Sequence, residues 1–224
     1  MIFHIFTIFP EVFKEYFNTS IIGRAQKKKL IKIKVYDIRK FAKDKHRTTD
    51  DRPFGGGAGM VLKIEPIIKA VSSILNSKFE IRNSKFIILS PAGKKFDQKM
   101  AKSYANKYEN IILLCGHYEG IDERIKKIVS DFGFRISDLS IGPYILTGGE
   151  LPAAVVVDTI SRHIPGVLGK EESLEEIKGS YPVYTRPEIF EYKGKKYRAP
   201  RILLSGDHKK IEAWRKSHSK STFV

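Results

Sequence analysis

Cysteine is almost missing from this chain, and acid is outnumbered by base. One cysteine, Cys115, occurs in 224 residues, so there is no disulfide framework and no CxxC zinc site. Tryptophan occurs once and methionine three times. Unbroken apolar runs stay far below the roughly 20 residues that a membrane helix needs, so no membrane partner is expected. The apolar N-terminus has neither a basic n-region nor a small-residue cleavage site, which argues against a signal peptide. These absences predict a soluble, cytoplasmic protein in a reducing compartment. The 25 Asp and Glu face 41 Lys and Arg, a net charge of +16. Such an excess favours a polyanionic partner, with nucleic acid ahead of an anionic membrane. Hydrophobic residues at 42% and aromatics at 11% exclude a disordered chain.

The patterning is that of an α/β fold. Residues 2–9 (IFHIFTIF) read as a buried strand that stops at Pro10, and PEVFKEYF as a helix with proline in its first turn. Residues 30–38 alternate apolar and basic, as in a half-exposed strand. Ile64, Ile67, Ile68, Val71, Ile74 and Leu75 form a helical stripe. FIILS (86–90) and IILLC (111–115) are continuous apolar strands, ending at Pro91-Ala92-Gly93 and at Gly116. Helices follow, one from the cap Asp97 to about Lys107 and one over about 122–129. A further helix is predicted over 150–163. The polar stretch 170–179 reads as a loop. Strands alternating with helices predict a mostly parallel sheet. Lysine and arginine concentrate in residues 24–47 and 193–220, which as two separate runs favour RNA or DNA over a merely solvated face.

Three features bear on chemistry. HRTTDDRPFGGGAGM (46–60) joins a glycine-rich loop to charged flanks. No Lys-Ser/Thr follows the glycines, so it is not a Walker A loop. Its arginines suit phosphate, and a carboxylate such as Asp50 suits a base-edge N–H. SPAG (90–93), CGHYEGIDER (115–124) and SIGPYILTGGELP (140–152) are three glycine-bearing turns after strands, where open α/β sheets bind ligands. None is GxGxxG, and they carry little positive charge, which suits a neutral adenosine-bearing ligand better than a pyrophosphate. Arg162 falls near the end of a helix, ahead of an acidic stretch holding Glu171, Glu172, Glu175 and Glu176. By composition that stretch reads as a solvated loop. The six histidines have no metal-ligand spacing, so no metal site is expected from them.

In order, HRTTDDRPFGGGAGM, LSPAGKKFDQ, LLCGHYEGIDER, SIGPYILTGGELPA, SRHIPGVLG and YTRPE resemble the bacterial tRNA (guanine-37-N1)-methyltransferases of the SPOUT superfamily. The resemblance covers nearly the whole chain. It implies a mostly parallel α/β domain with a deep C-terminal trefoil knot (1–166), a linker (167–180) and a small, mainly helical tRNA-binding domain (181–224). It implies a homodimer whose active sites use both chains. The cofactor implied is S-adenosylmethionine, with a magnesium requirement for which the sequence offers no all-protein cage. The substrate implied is the tRNA anticodon arm with guanosine at 36 and 37, methylated at N1 of guanosine 37.

Carried across residue by residue, the cofactor contacts fall on Leu89, Ser90, Pro91, Gly116, Tyr118, Glu119, Gly120, Ile141, Gly142, Tyr144, Leu146, Gly148, Gly149 and Pro152. The catalytic arginine matches Arg162 and the guanine-contacting aspartate matches Asp50. Two departures stand out. Pro143 replaces the usual Asp before the tyrosine. The loop after GVLG is short and lacks the usual catalytic Asp, its place being taken by Glu175, Glu176 and Ile177. Glu176 is therefore the expected general base, with Glu175 next. The alternative is a non-catalytic RNA-binding protein on the same fold.

Overall fold

The computed structural model describes residues 1–75, 79–169 and 180–219. The chain divides into two compact units, Met1–Leu168 and Gly169–Val224.

The larger unit is built on a five-stranded sheet, every adjacent pair parallel. Its strands are β1 (Ile2–Thr7), β2 (Lys32–Asp37), β5 (Ser84–Lys95), β6 (Asn110–Cys115) and β7 (Arg135–Ser140), in the order β2-β1-β6-β5-β7. The apolar runs explain the order. β6 is buried at every position and β1 at all but its first, so both lie inside, whereas the alternating Lys32–Asp37 stays half-buried at an edge.

Side chains alternate across the pleat and feed two cores. Phe3, Ile5, Ile87 and Leu113 point to one side and Phe6, Phe86, Ile88 and Ile112 to the other. Helices α4 (Gln98–Lys107) and α6 (Glu150–Ser161) cover the first side through Ala101, Tyr104, Ala153 and Val157. Helices α3 (Ile64–Ser72) and α5 (Arg124–Asp131) cover the second through Ile67, Val71, Ile125 and Val129. Asp97 caps α4, its side chain accepting from the Met100 N–H at 2.7 Å, as its position before the helix predicts.

Several elements depart from the sequence reading. PEVFKEYF splits into a 3-10 turn (Pro10–Phe13) and α1 (Lys14–Phe17), and α2 (Ser20–Lys27) follows. Asp50–Asp51 and Val61–Leu62 pair as a short antiparallel β3–β4, so the glycine-rich segment is the connection of a hairpin. The strand expected to end at Ser90 continues to Lys95. Its register against β7 jumps between Leu89 and Lys94, both opposite Leu139, so residues 90–93 bulge out of the ladder rather than turn away.

The smaller unit was expected to be mainly helical. It also holds a hairpin, β8 (Ile189–Tyr192) and β9 (Lys195–Arg198), beside a 3-10 turn (Arg201–Leu204) and α7 (His208–Ser217). Lys193 and Gly194 have φ of 49° and 73°, the positive pair that a tight two-residue hairpin turn requires. Asp207 caps α7 at the Lys210 N–H, 3.2 Å away. Trp214 on α7 meets Tyr184 edge-on at 6.3 Å, and Arg215 lies 5.1 Å from the Tyr181 ring centre.

Candidate functional site

The carboxyl ends of β5, β6 and β7 open onto one cavity of about 410 Å³ in the larger unit. Three chain segments build it, the bulge of β5, the turn after β6 and the stretch from β7 to α6. They approach one another with bare backbone. The Gly149 N–H donates to the Gly116 carbonyl at 2.8 Å, and His117 bridges Gly148 in antiparallel fashion. A Cβ on Gly149 would stand 2.7 Å from Cys115 Cα, and one on Gly93 would stand 2.5 Å from the Leu139 nitrogen. Glycine is required at both places because no side chain fits between the crossing segments.

The cavity wall contains Leu89, Ser90, Pro91, Gly116, Tyr118, Glu119, Gly120, Ile141, Tyr144, Leu146, Gly148, Gly149 and Pro152. Thirteen of the fourteen residues singled out as cofactor contacts are thus brought together. Gly142 is not on the wall and lies beneath the Tyr144 ring, whose hydroxyl donates to the Ile141 carbonyl at 3.3 Å.

Polar residues that sequence reasoning passed over share the same wall. Lys126 sits between Glu123 and Asp138, 2.8 Å from each, and the hydrogen bonds to Asp138 and Glu123 raise its pKa. The signal was available, as Asp138 interrupts an otherwise alternating strand and Lys126 stands one helical turn from Glu123. His117 is also on the wall, its ring edge-on to Phe9 at 5.0 Å and to Tyr118 at 4.5 Å. Behind it the buried Thr7 hydroxyl donates to the buried Glu150 carboxyl at 2.6 Å and accepts from the Phe9 N–H at 2.9 Å. That pair ties the end of β1 to the start of α6. Cys115 is buried directly under the cavity, and burial, with the Glu150 charge, pushes its thiol well above the usual range, so it is no nucleophile.

The remaining named residues do not reach this cavity. Arg162 is half-buried at the C-terminal end of α6, its N–H on the Asp158 carbonyl at 3.2 Å. Asp50 is half-buried on β3 opposite Leu62. The 46–60 segment does touch the cavity's edge, since the Glu119 N–H donates to the Met60 carbonyl at 3.0 Å. Glu171, Glu172, Glu175 and Glu176 lie outside the described residues. Among the described residues no three His, Cys, Asp or Glu side chains are grouped to hold a metal ion. No helix among them is long and apolar enough to cross a membrane.

A parallel α/β sheet with a glycine-walled cavity outside its strand ends fits a small organic ligand, and a wall that mixes apolar residues with Glu119, Glu123, Asp138 and Lys126 suits a nucleoside-bearing molecule with both apolar and polar parts. The family model described as tRNA (Guanine-1)-methyltransferase TrmD matches residues 1–223, and the chain belongs to that family. It is 51% identical to a tRNA (guanine-N(1)-)-methyltransferase of Clostridioides difficile, over 98% of this chain and 92% of that protein. Proteins of the same name from Carboxydothermus hydrogenoformans and Dictyoglomus turgidum are each 49% identical. They cover 96% and 98% of this chain, and 81% and 86% of their own lengths. Membership implies S-adenosylmethionine as methyl donor.

Proposed function

We propose that this chain methylates N1 of guanosine 37 in tRNA whose preceding nucleotide is also guanosine. The observation that carries the reading is the convergence of three post-strand segments on one glycine-walled cavity, in a chain of this family with a net charge of +16. Bound there, S-adenosylmethionine supplies an electrophilic methyl group on a sulfonium.

The protein has two chemical tasks. Guanine N1–H is weakly acidic, so a carboxylate must take its proton as N1 attacks. Glu176 has that role in this reading, with Glu175 as the neighbouring choice. The charge that develops on guanine O6 needs a fixed cation, which is Arg162. Asp50 accepts a hydrogen bond from the guanine edge once the base is splayed from the loop stack. The magnesium that the resemblance implies would be held by RNA or cofactor and waters rather than by an all-protein cage.

The same reading includes a homodimer, which two features of α6 support. Arg162 lies ten residues along α6 from Pro152, about 15 Å at helical rise, so it is remote from its own cavity. α6 exposes Leu151 and Val155, and Val12 and Tyr16 are exposed too, with the Tyr16 hydroxyl on Asp158 of α6 at 2.6 Å. A second copy covering that apolar face would bring its arginine to the first copy's cavity. The trefoil knot belongs to the same reading. It is supported by the backbone contacts of Gly149 with Gly116 and of Gly93 with Leu139, which cross three segments without side chains between them. Residues 181–224 are proposed as a tRNA-binding domain. The two basic runs suit the anticodon-arm backbone, so binding should weaken steeply with salt.

The test is methyl transfer from labelled S-adenosylmethionine to two tRNA transcripts, one with guanosine and one with adenosine at position 37. Label on the guanosine transcript alone is expected. Label on neither, with tRNA still retained, would leave a non-catalytic RNA-binding protein. Glu176→Gln should slow single-turnover methylation strongly and leave S-adenosylmethionine affinity unchanged. An unchanged rate removes Glu176 from the mechanism.

A further inference from the structure

The β8–β9 hairpin displays aromatic side chains that a small domain would ordinarily bury. Register and pleat put Phe190, Tyr192, Tyr197 and Lys195 on one face, because Phe190 pairs with Tyr197 and Tyr192 with Lys195. The three rings are 56%, 54% and 55% exposed. Phe190 and Tyr192 lie nearly parallel, at 10°, with centres 6.5 Å apart. Three large rings on four paired positions of a solvated hairpin leave apolar area that no core explains.

The charge around the rings says what covers them. Lys193 extends over the Tyr192 ring at 5.4 Å, Lys195 shares the aromatic face, and Lys196 and Arg198 stand on the reverse. The single acid of the hairpin, Glu191, is held by Lys196 at 3.0 Å. An apolar protein partner would be met by a cationic rim. A paired duplex would offer phosphate to the lysines but no base faces to the rings. Unpaired nucleotides offer both, because every base has a π-face and each base is joined to a phosphate.

We propose that the Phe190–Tyr192–Tyr197 face is a stacking surface for unpaired bases of the RNA substrate, with Lys193 and Lys195 on the adjoining phosphates. This rests on the tRNA reading above and adds a place where the small unit reads single-stranded RNA. Stacking is tolerant of sequence, so the surface contributes affinity and orientation rather than choice of base.

The experiment measures binding of the full chain to a tRNA transcript and to an RNA duplex of equal phosphate count, across a salt series. Tyr192→Ala and Tyr197→Ala should each weaken transcript binding about tenfold and leave duplex binding and the salt slope unchanged. Tyr192→Phe and Tyr197→Phe should bind like wild type, since stacking needs the ring and not the hydroxyl, which also shows that the hairpin still folds. Lys195→Ala should lower the salt slope by about one. S-adenosylmethionine affinity should be the same in all variants.

Unchanged transcript affinity in the double variant Tyr192→Ala/Tyr197→Ala, with wild type still binding and methylating tRNA, overturns the stacking surface and spares the functional reading. Equal losses on transcript and duplex also overturn it, as does a change in self-association without loss of RNA affinity. A wild-type chain that neither retains nor methylates tRNA defeats the functional reading itself.

Discussion

Adding one methyl group at Gly149 should loosen the fold and empty the cavity together. Gly149 has φ of −82°, so alanine meets no backbone strain there. The obstacle is space. The new Cβ would stand 2.7 Å from Cys115 Cα, 2.8 Å from the Gly116 nitrogen and 3.1 Å from the Cys115 carbonyl carbon. Carbon atoms rest at about 3.5–4.0 Å, so the two backbones must part by about 1 Å. Neither gives easily. Cys115 is 1% exposed and paired to Leu89, and α6 is anchored through Ala153, Val156, Val157 and Ile160, all fully buried. Overpacking of this kind costs about 1–3 kcal/mol. For a chain of this size about 2 kcal/mol lowers Tm by roughly 4–8 °C. Because Gly116, Gly148 and Gly149 are themselves cavity wall, S-adenosylmethionine affinity should fall as well, by about tenfold where about 1.4 kcal/mol of that strain falls on the bound state. Thermal unfolding and equilibrium dialysis read the two effects. Gly169→Ala is the control, since nothing lies within 4 Å of its added Cβ. A Gly149→Ala chain that melts and binds like wild type would refute the reasoning.

Thr7→Val keeps the shape of a buried side chain and removes the donor to Glu150, which should cost about 2 kcal/mol in urea unfolding, while Thr7→Ser recovers most of it. Burial lowers the pKa of His4 from 6.5 to about 4, so between those values the unfolded chain binds a proton that the folded chain refuses. Its contribution to stability is therefore complete above pH 6.5 and is lost, by about 3 kcal/mol, as pH falls to 4; His4→Phe should flatten that limb of the Tm–pH curve. If the active site joins two copies, mixing inactive Arg162→Ala chains with inactive Gly148→Val chains should restore methylation, because each mixed dimer regains one intact site. No recovery in verified mixed dimers would place Arg162 in its own chain's site.

Much of the fold was legible in the chain. The runs IFHIFTIF and IILLC are apolar on both sides of the pleat, and only the interior of a covered parallel sheet accommodates that. Asp97 announced α4 by the chemistry of its cap. Local signals were weaker where tertiary contacts set the outcome. SPAG contains proline and glycine and reads as a turn, yet β7 on one side lets β5 resume pairing at Lys94, so a bulge forms. Residues 193–220 read as a basic run, and the hairpin at its start rests on a turn at Lys193-Gly194 that composition does not reveal.

The site divides in the same way. The glycine-bearing segments are each recognisable in sequence, and the family they belong to follows from their order. That they wall one cavity depends on the strand order β6-β5-β7, which lays three distant turns side by side. The ion pair of Lys126 with Glu123 is local to one helical turn, whereas its pair with Asp138 joins α5 to β7 across twelve residues. Likewise, Arg162 is marked by motif, while its distance from the cavity is a matter of helix rise. Sequence determines which short-range conformations and which chemistry are available, because those depend on neighbours along the chain. Tertiary structure alone decides which of them meet, because parallel crossovers bring together backbone that lies tens of residues apart.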